Sequence, residues 1–155
     1  MGEYNLNFDT KDVFYEESKR LRKEVLLLAD SLKNNPLRFS VTNEIRMDVE
    51  ITKSDLKTIV SKNTQDNRFN VVKNTLAKNL RSFLEKGKYE GWRKVVYGKH
   101  PETAYFVYYS QEYEMKVYLC VRKMKNTGIF KPYAIIDQTM FESESGNLIK
   151  EEPLD

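Results

Sequence analysis

A chain of 155 residues, 40% hydrophobic and 32% charged, has enough apolar material for one core and too much charge for a membrane-embedded protein. No apolar run approaches the roughly 18 residues of a membrane span, and no secretory signal pattern is present, so a soluble, cytoplasmic protein without membrane contacts is expected. Net charge is only +3, yet residues 36–133 carry nineteen Lys or Arg against ten acids, and residues 134–155 carry one against six. A basic body suits a polyanion such as nucleic acid, and the acidic end is either solvated or competes for the same surface.

Residues 11–34 place Phe14, Leu21, Val25, Leu28 and Leu32 on one helical stripe, a long amphipathic helix that Asn34-Asn35-Pro36 ends. Such a helix packs on its own domain or takes a protein partner. Residues 37–51 alternate loosely around Phe39, Val41, Ile45, Val49 and Ile51, predicting one or two short extended pieces. Thr52-Lys53-Ser54-Asp55 then opens a short helix with a capping pattern. After the polar stretch Asn63 to Asn67, Val72, Leu76, Leu80 and Phe83 predict a third helix, which Gly87 ends in a left-handed cap.

From Trp92 the period becomes two. Strands are expected at 92–98, 104–110, 114–123 and 131–138, joined by short connections that imply antiparallel neighbours. In the third of these, Met115, Val117, Leu119 and Val121 should face the core, and Lys116, Tyr118, Cys120 and Arg122 an open surface. Residues past Glu142 read as a frayed end. The expected architecture is α+β: N-terminal helices on one face of a roughly four-stranded antiparallel sheet. It divides into an amphipathic helix (1–36), an α+β body (37–141) and an acidic tail (142–155).

Serine-hydrolase elbows, phosphate-cradling glycine loops, dinucleotide fingerprints and paired-histidine zinc motifs are missing from the sequence. Cys120 and His100 are the only residues of their kinds and have no neighbour at metal-ligand spacing, so no cofactor is expected. What remains is acid–base chemistry centred on His100, whose unperturbed pKa lies near neutrality. Arg93, Lys94 and Lys99 precede it, and Lys116 and Arg122 share the polar strand face, so a phosphate there would meet several cations. Tyr118, between Lys116 and Arg122, is the tyrosine best placed to stack a base. Glu102 is a candidate partner for the imidazole, and Asp137, Gln138 and Thr139 end the last strand with polar groups. Trp92 is expected in the core, and Cys120 is expected to be structural.

Arg38-Phe39-Ser40, Val49-Glu50-Ile51-Thr52, two helices, and Gly98-Lys99-His100-Pro101-Glu102-Thr103-Ala104-Tyr105-Phe106 leading into paired strands resemble the phage branch of the barnase–EndoU–colicin–RelE nuclease superfamily. Its members occur in polyvalent proteins of phages and mobile elements, and the likeness spans about residues 37–141. The resemblance implies a sheet whose free face cleaves RNA without a metal, the ribose 2′-hydroxyl attacking its own phosphate. His100 would then be the acid or base, Arg122, Lys116 and Lys99 would steady the charged phosphorus, and Glu102 or Tyr118 would supply the second proton-transfer group, with Thr139 at the polar end of the final strand. This chain lacks a second histidine. The alternative is a non-catalytic nucleic-acid or protein-binding module, a degenerate nuclease fold or an inhibitor or immunity-type protein that uses the N-terminal helix.

Overall fold

The computed structural model describes residues 2–42, 44–62, 64–94 and 102–150, with side chains from Val13 onward. In chain order the elements are α1 (Gly2–Ser31), β1 (Leu37–Val41), β2 (Met47–Ile51), α2 (Lys53–Ser61), α3 (Asn67–Ala77), α4 (Leu80–Lys86), β3 (Lys88–Arg93), β4 (Thr103–Ser110), β5 (Met115–Lys123), β6 (Phe130–Asp137) and α5 (Gln138–Glu144). The α+β class is as expected, but the sheet has six strands in the order β1-β2-β6-β5-β4-β3. Strands β3 to β6 form the expected antiparallel run, and the early hairpin β1–β2 joins it by a parallel pairing of β2 with β6, registered at Val49 and Phe130. The joint is reinforced by charge: Lys131 Nζ lies 3.3 Å from Glu50 and 2.8 Å from Asp55. Loose alternation in 37–51 signals one or two short extended pieces but carries no information about their pairing or which distant strand they join.

Helix α1 buries Ser18, Leu21, Val25 and Ala29, a stripe one position away from the expected Leu28, which is 38% exposed. Steps of three and four residues follow the helical period, and the small side chain of Ser18 lets α3 approach, where the Asn74 amide donates to Ser18 O at 3.1 Å. The capping box on α2 forms as predicted: Thr52 Oγ1 accepts from Asp55 N–H, and the Asp55 carboxylate accepts from Thr52 N–H. The expected third helix is two, because the chain turns at Asn79 before α4 starts. Gly87 does not adopt a left-handed cap; its φ is −71°. A Cβ there would lie 2.6 Å from Phe83 O, so the glycine is required by close approach.

Helices α1 to α4 cover one face of the sheet through Val25, Leu56, Val72, Phe83 and Leu84 against Phe106, Val117, Leu119, Val121 and Trp92. The alternation in β5 is as predicted: Val117, Leu119 and Val121 are fully buried on this side. The first late strand runs over 88–93 instead of 92–98, and residues 95–98 lie outside the described residues.

The second face is not open. Tyr105, Cys120 and Ala134 form a smaller core there, covered by Phe141 and Leu148. The cover comes from the segment read as a frayed end. Its first part is α5, capped by Asp137, whose carboxylate accepts from Met140 N–H at 2.8 Å. Beyond α5, Ile149 pairs with Trp92 through N–H to carbonyl bonds of 2.8 and 2.9 Å. Gly91, with φ +136°, passes so close beneath that a Cβ would meet Ile149 O at 2.9 Å. Residues 151–155 of the acidic tail lie outside the described residues. Among the described residues, no helix is long and apolar enough to cross a membrane.

Candidate functional site

The register of the late strands sorts the predicted site residues. Arg93 lies opposite Thr103, Thr103 opposite Arg122, and Arg122 opposite Lys131, one row across β3, β4, β5 and β6 at one end of the sheet. Directly opposed residues share a face. Thr103 is fully buried between the two arginines. Its Oγ1 accepts from Arg93 Nη2 at 3.3 Å and shares a hydrogen bond of 2.8 Å with the Tyr133 hydroxyl. Tyr133 reaches this row because the β5–β6 register shifts between Cys120 and Val121, where Ala134 and Pro132 are the consecutive partners and Tyr133 is skipped.

Arg93 also donates from Nη1 to the Glu144 carbonyl at 2.9 Å, and its guanidinium lies 5.9 Å from the centre of the Tyr105 ring. The Glu144 carboxylate accepts from the Tyr105 hydroxyl at 3.1 Å and lies 4.0 Å from Cys120 Sγ. Lys131, at the end of the row, is turned to Glu50 and Asp55. Arg122 differs from its neighbours: its Nε is buried and has no hydrogen-bond partner among the described residues. A buried donor left unpaired costs roughly 1–3 kcal/mol, which an incoming anion would recover.

Burial sets the proton chemistry. Loss of solvent is the main cause holding the Tyr133 phenol up at about 12, and burial likewise raises the Tyr105 phenol and lifts the Cys120 thiol well above its ordinary value. All three are neutral at pH 7. Tyr133 therefore keeps its hydroxyl proton in this row, and Cys120 is inert as a nucleophile.

The remaining predicted residues separate. Tyr118 is only 4% exposed, because Phe141 lies flat on its ring at 3.9 Å with 2° between planes; it is not an open stacking surface. Lys116 is exposed opposite Tyr109, six residues along β5 from Arg122 and so roughly 20 Å away. Thr139 is exposed on α5, since β6 ends at Asp137. Glu102 is half-buried directly before Thr103, and Lys94 is exposed directly after β3. Lys99 and His100 lie outside the described residues. The described structure thus unites Arg93 and Arg122, and leaves Lys116, Tyr118 and Thr139 elsewhere. Sequence reasoning missed Thr103, Tyr133 and Glu144. Only strand register would have revealed Thr103 and Tyr133, and Glu144 needed the fold-back of α5.

No family model, curated protein or solved structure matches this chain.

Proposed function

We propose that this chain cleaves RNA without a metal, at the end of the sheet where Arg93 and Arg122 flank Thr103. The observation that carries the reading is this row of two guanidinium groups, with one buried nitrogen unpartnered, directly before which the sequence runs Lys99-His100-Pro101-Glu102. Arginine pairs recognise phosphate oxygens through paired donors. In the reaction the ribose 2′-oxygen bonds to phosphorus as the bond to the 5′-oxygen breaks. His100 takes the 2′-hydroxyl proton or delivers one to the leaving oxygen. Arg122 and Arg93 offset the charge gathering on the non-bridging oxygens, and Tyr133 is a neutral donor to the same group. Glu102 is the candidate for the second proton-transfer role, Lys94 directly after β3 adds positive charge, and Lys99 precedes His100 in sequence. Lys116 and Thr139 have no place in this arrangement, and Tyr118 lies covered by Phe141.

The test is a labelled RNA incubated with the protein in EDTA. Cyclic-phosphate ends are expected, and His100→Ala should lose on the order of 10²–10⁴ in turnover while remaining folded. Wild-type cleavage by His100→Ala would eliminate this mechanism. A second reading, a binding module without chemistry, draws on a different observation. A groove of about 330 Å³ is lined by Leu28, Leu32, Leu37 and Leu80, an apolar surface of the kind partners use. Intact RNA after incubation with folded wild-type protein would favour that reading.

A further inference from the structure

We propose that residues 138–150 are a removable strap that keeps the site closed by standing where a nucleotide would stand; this rests on the RNA reading above. The strap holds an aromatic ring and an acceptor oxygen against the two kinds of group that bind a nucleotide. Phe141 lies parallel on Tyr118, as a base lies on an aromatic side chain. It also meets Tyr105 edge-on at 5.0 Å. Three residues later the Glu144 carbonyl accepts from Arg93, a cation proposed for phosphate. Base position and phosphate position are both filled by one short piece of the chain itself.

The attachment is suited to release. Helix α5 has seven residues, none of them buried, and so short a helix is not stable apart from what it rests on. Its cover consists of Phe141, the Glu144 contacts, Leu148 and the Ile149–Trp92 pair. Beneath it Tyr118 and Tyr105 are buried only as long as the strap is down, and Arg93 is held by it. Lifting the strap exposes Tyr118, four residues along β5 from Arg122 on the same strand face, and joins an aromatic surface to the cations of the row. The resting protein should therefore bind RNA below its intrinsic affinity by the fraction of time the strap is open.

Cys120 reports on this motion without any RNA. It is the only cysteine, it is fully buried under the strap, and its sulfur lies 4.0 Å from the Glu144 carboxylate. In native buffer, labelling by a thiol reagent should proceed through strap opening, with a denaturant dependence well below that of global unfolding. Phe141→Ala removes the ring stack and should speed labelling on the order of tenfold. Ile149→Pro, which loses the N–H bonded to Trp92, loosens the other end and should act in the same direction. The affinity of both variants for a short, uncleavable 2′-O-methyl RNA, measured in EDTA, should rise by a similar factor. Labelling as slow as global unfolding in all three proteins would overturn the strap. Faster labelling with unchanged RNA affinity would overturn closure of the site and leave the RNA reading intact. If no protein binds the RNA while labelling accelerates, the RNA reading fails and the inhibitory role fails with it.

Discussion

The two faces of the sheet are built on different terms. Under α1 to α4 the packed residues are aliphatic and aromatic, with Val117, Leu119 and Val121 fully buried. Beneath α5 the buried cluster is Tyr105, Cys120 and Ala134, and Tyr105 is itself one end of a hydrogen-bonded chain that runs through Glu144, Arg93 and Thr103 to Tyr133. Apolar burial scales with area and needs no orientation, so the first face fixes the fold. A polar network needs every partner in place, and here Arg122 Nε is buried without a hydrogen-bond partner among the described residues, as Trp92 Nε1 and Asn74 Oδ1 are on the helical side. One face therefore rests on apolar packing, and the other on oriented polar contacts.

Truncation should separate the faces most sharply. Leu119→Ala, under the helices, should cost about 3 kcal/mol because it leaves a cavity in a fully packed region. Phe141→Ala, on the half-buried strap, should cost about 1 kcal/mol, read from denaturant midpoints of the two variants. Equal losses would erase the distinction. Next comes Lys131→Ala, which strips Glu50 and Asp55 of their shared cation at the β2–β6 joint. A loss of about 3 kcal/mol is expected if the pair behaves as buried, and a loss under about 0.5 kcal/mol would class it with surface ion pairs. Gly91→Ala must strain a φ of +136° and push on Ile149 O; it should cost about 2 kcal/mol and accelerate Cys120 labelling. Slow labelling in that variant would mean that β3 yields before the strap does.

A pH-dependent effect concerns Lys73, a residue only 1% exposed on the helical side. Its ammonium donates to the Lys62 carbonyl at the end of α2, and burial first, then Arg22, lowers its pKa to about 8. Below pH 8 the group is charged in both states and the folded protein bears the cost of burying it. Between about 8 and 10.5 the folded form has released the proton and the unfolded form has not, so wild-type stability rises with pH across that window. Lys73→Met should be more stable than wild type at pH 7 by about 1 kcal/mol. The advantage should shrink towards pH 10.5, the ordinary lysine value. A constant difference between pH 7 and 10.5 would show that burial does not depress this lysine.

Much of the helical face was legible because it rests on local periods. The α2 capping box, the alternation of Val117, Leu119 and Val121, and the placing of Trp92 in the core all follow from neighbours in sequence. The other face was not, because it depends on long-range register. Tyr118 reads as exposed until Phe141 is placed on it, and Phe141 reads as the edge of a tail until Asp137 caps α5 and Ile149 finds Trp92. Lys116 and Arg122 share parity on β5, and parity alone cannot say that Thr103 and Arg93 stand opposite only one of them. The residues of the proposed site were thus partly named by sequence but grouped by strand face, whereas strand register groups residues by position along the strand.

That difference in grouping gives the most direct test. Cleavage of a labelled RNA in EDTA should be compared among wild type, Arg122→Ala and Lys116→Ala, each checked for an unchanged unfolding midpoint. Placing the chemistry at the Arg93–Thr103–Arg122 row predicts that Arg122→Ala loses on the order of 10²-fold in turnover, while Lys116→Ala, at the far end of β5, stays within about twofold of wild type. Equal losses in both variants, or loss in Lys116→Ala alone, would contradict the row and return the site to the strand face as a whole.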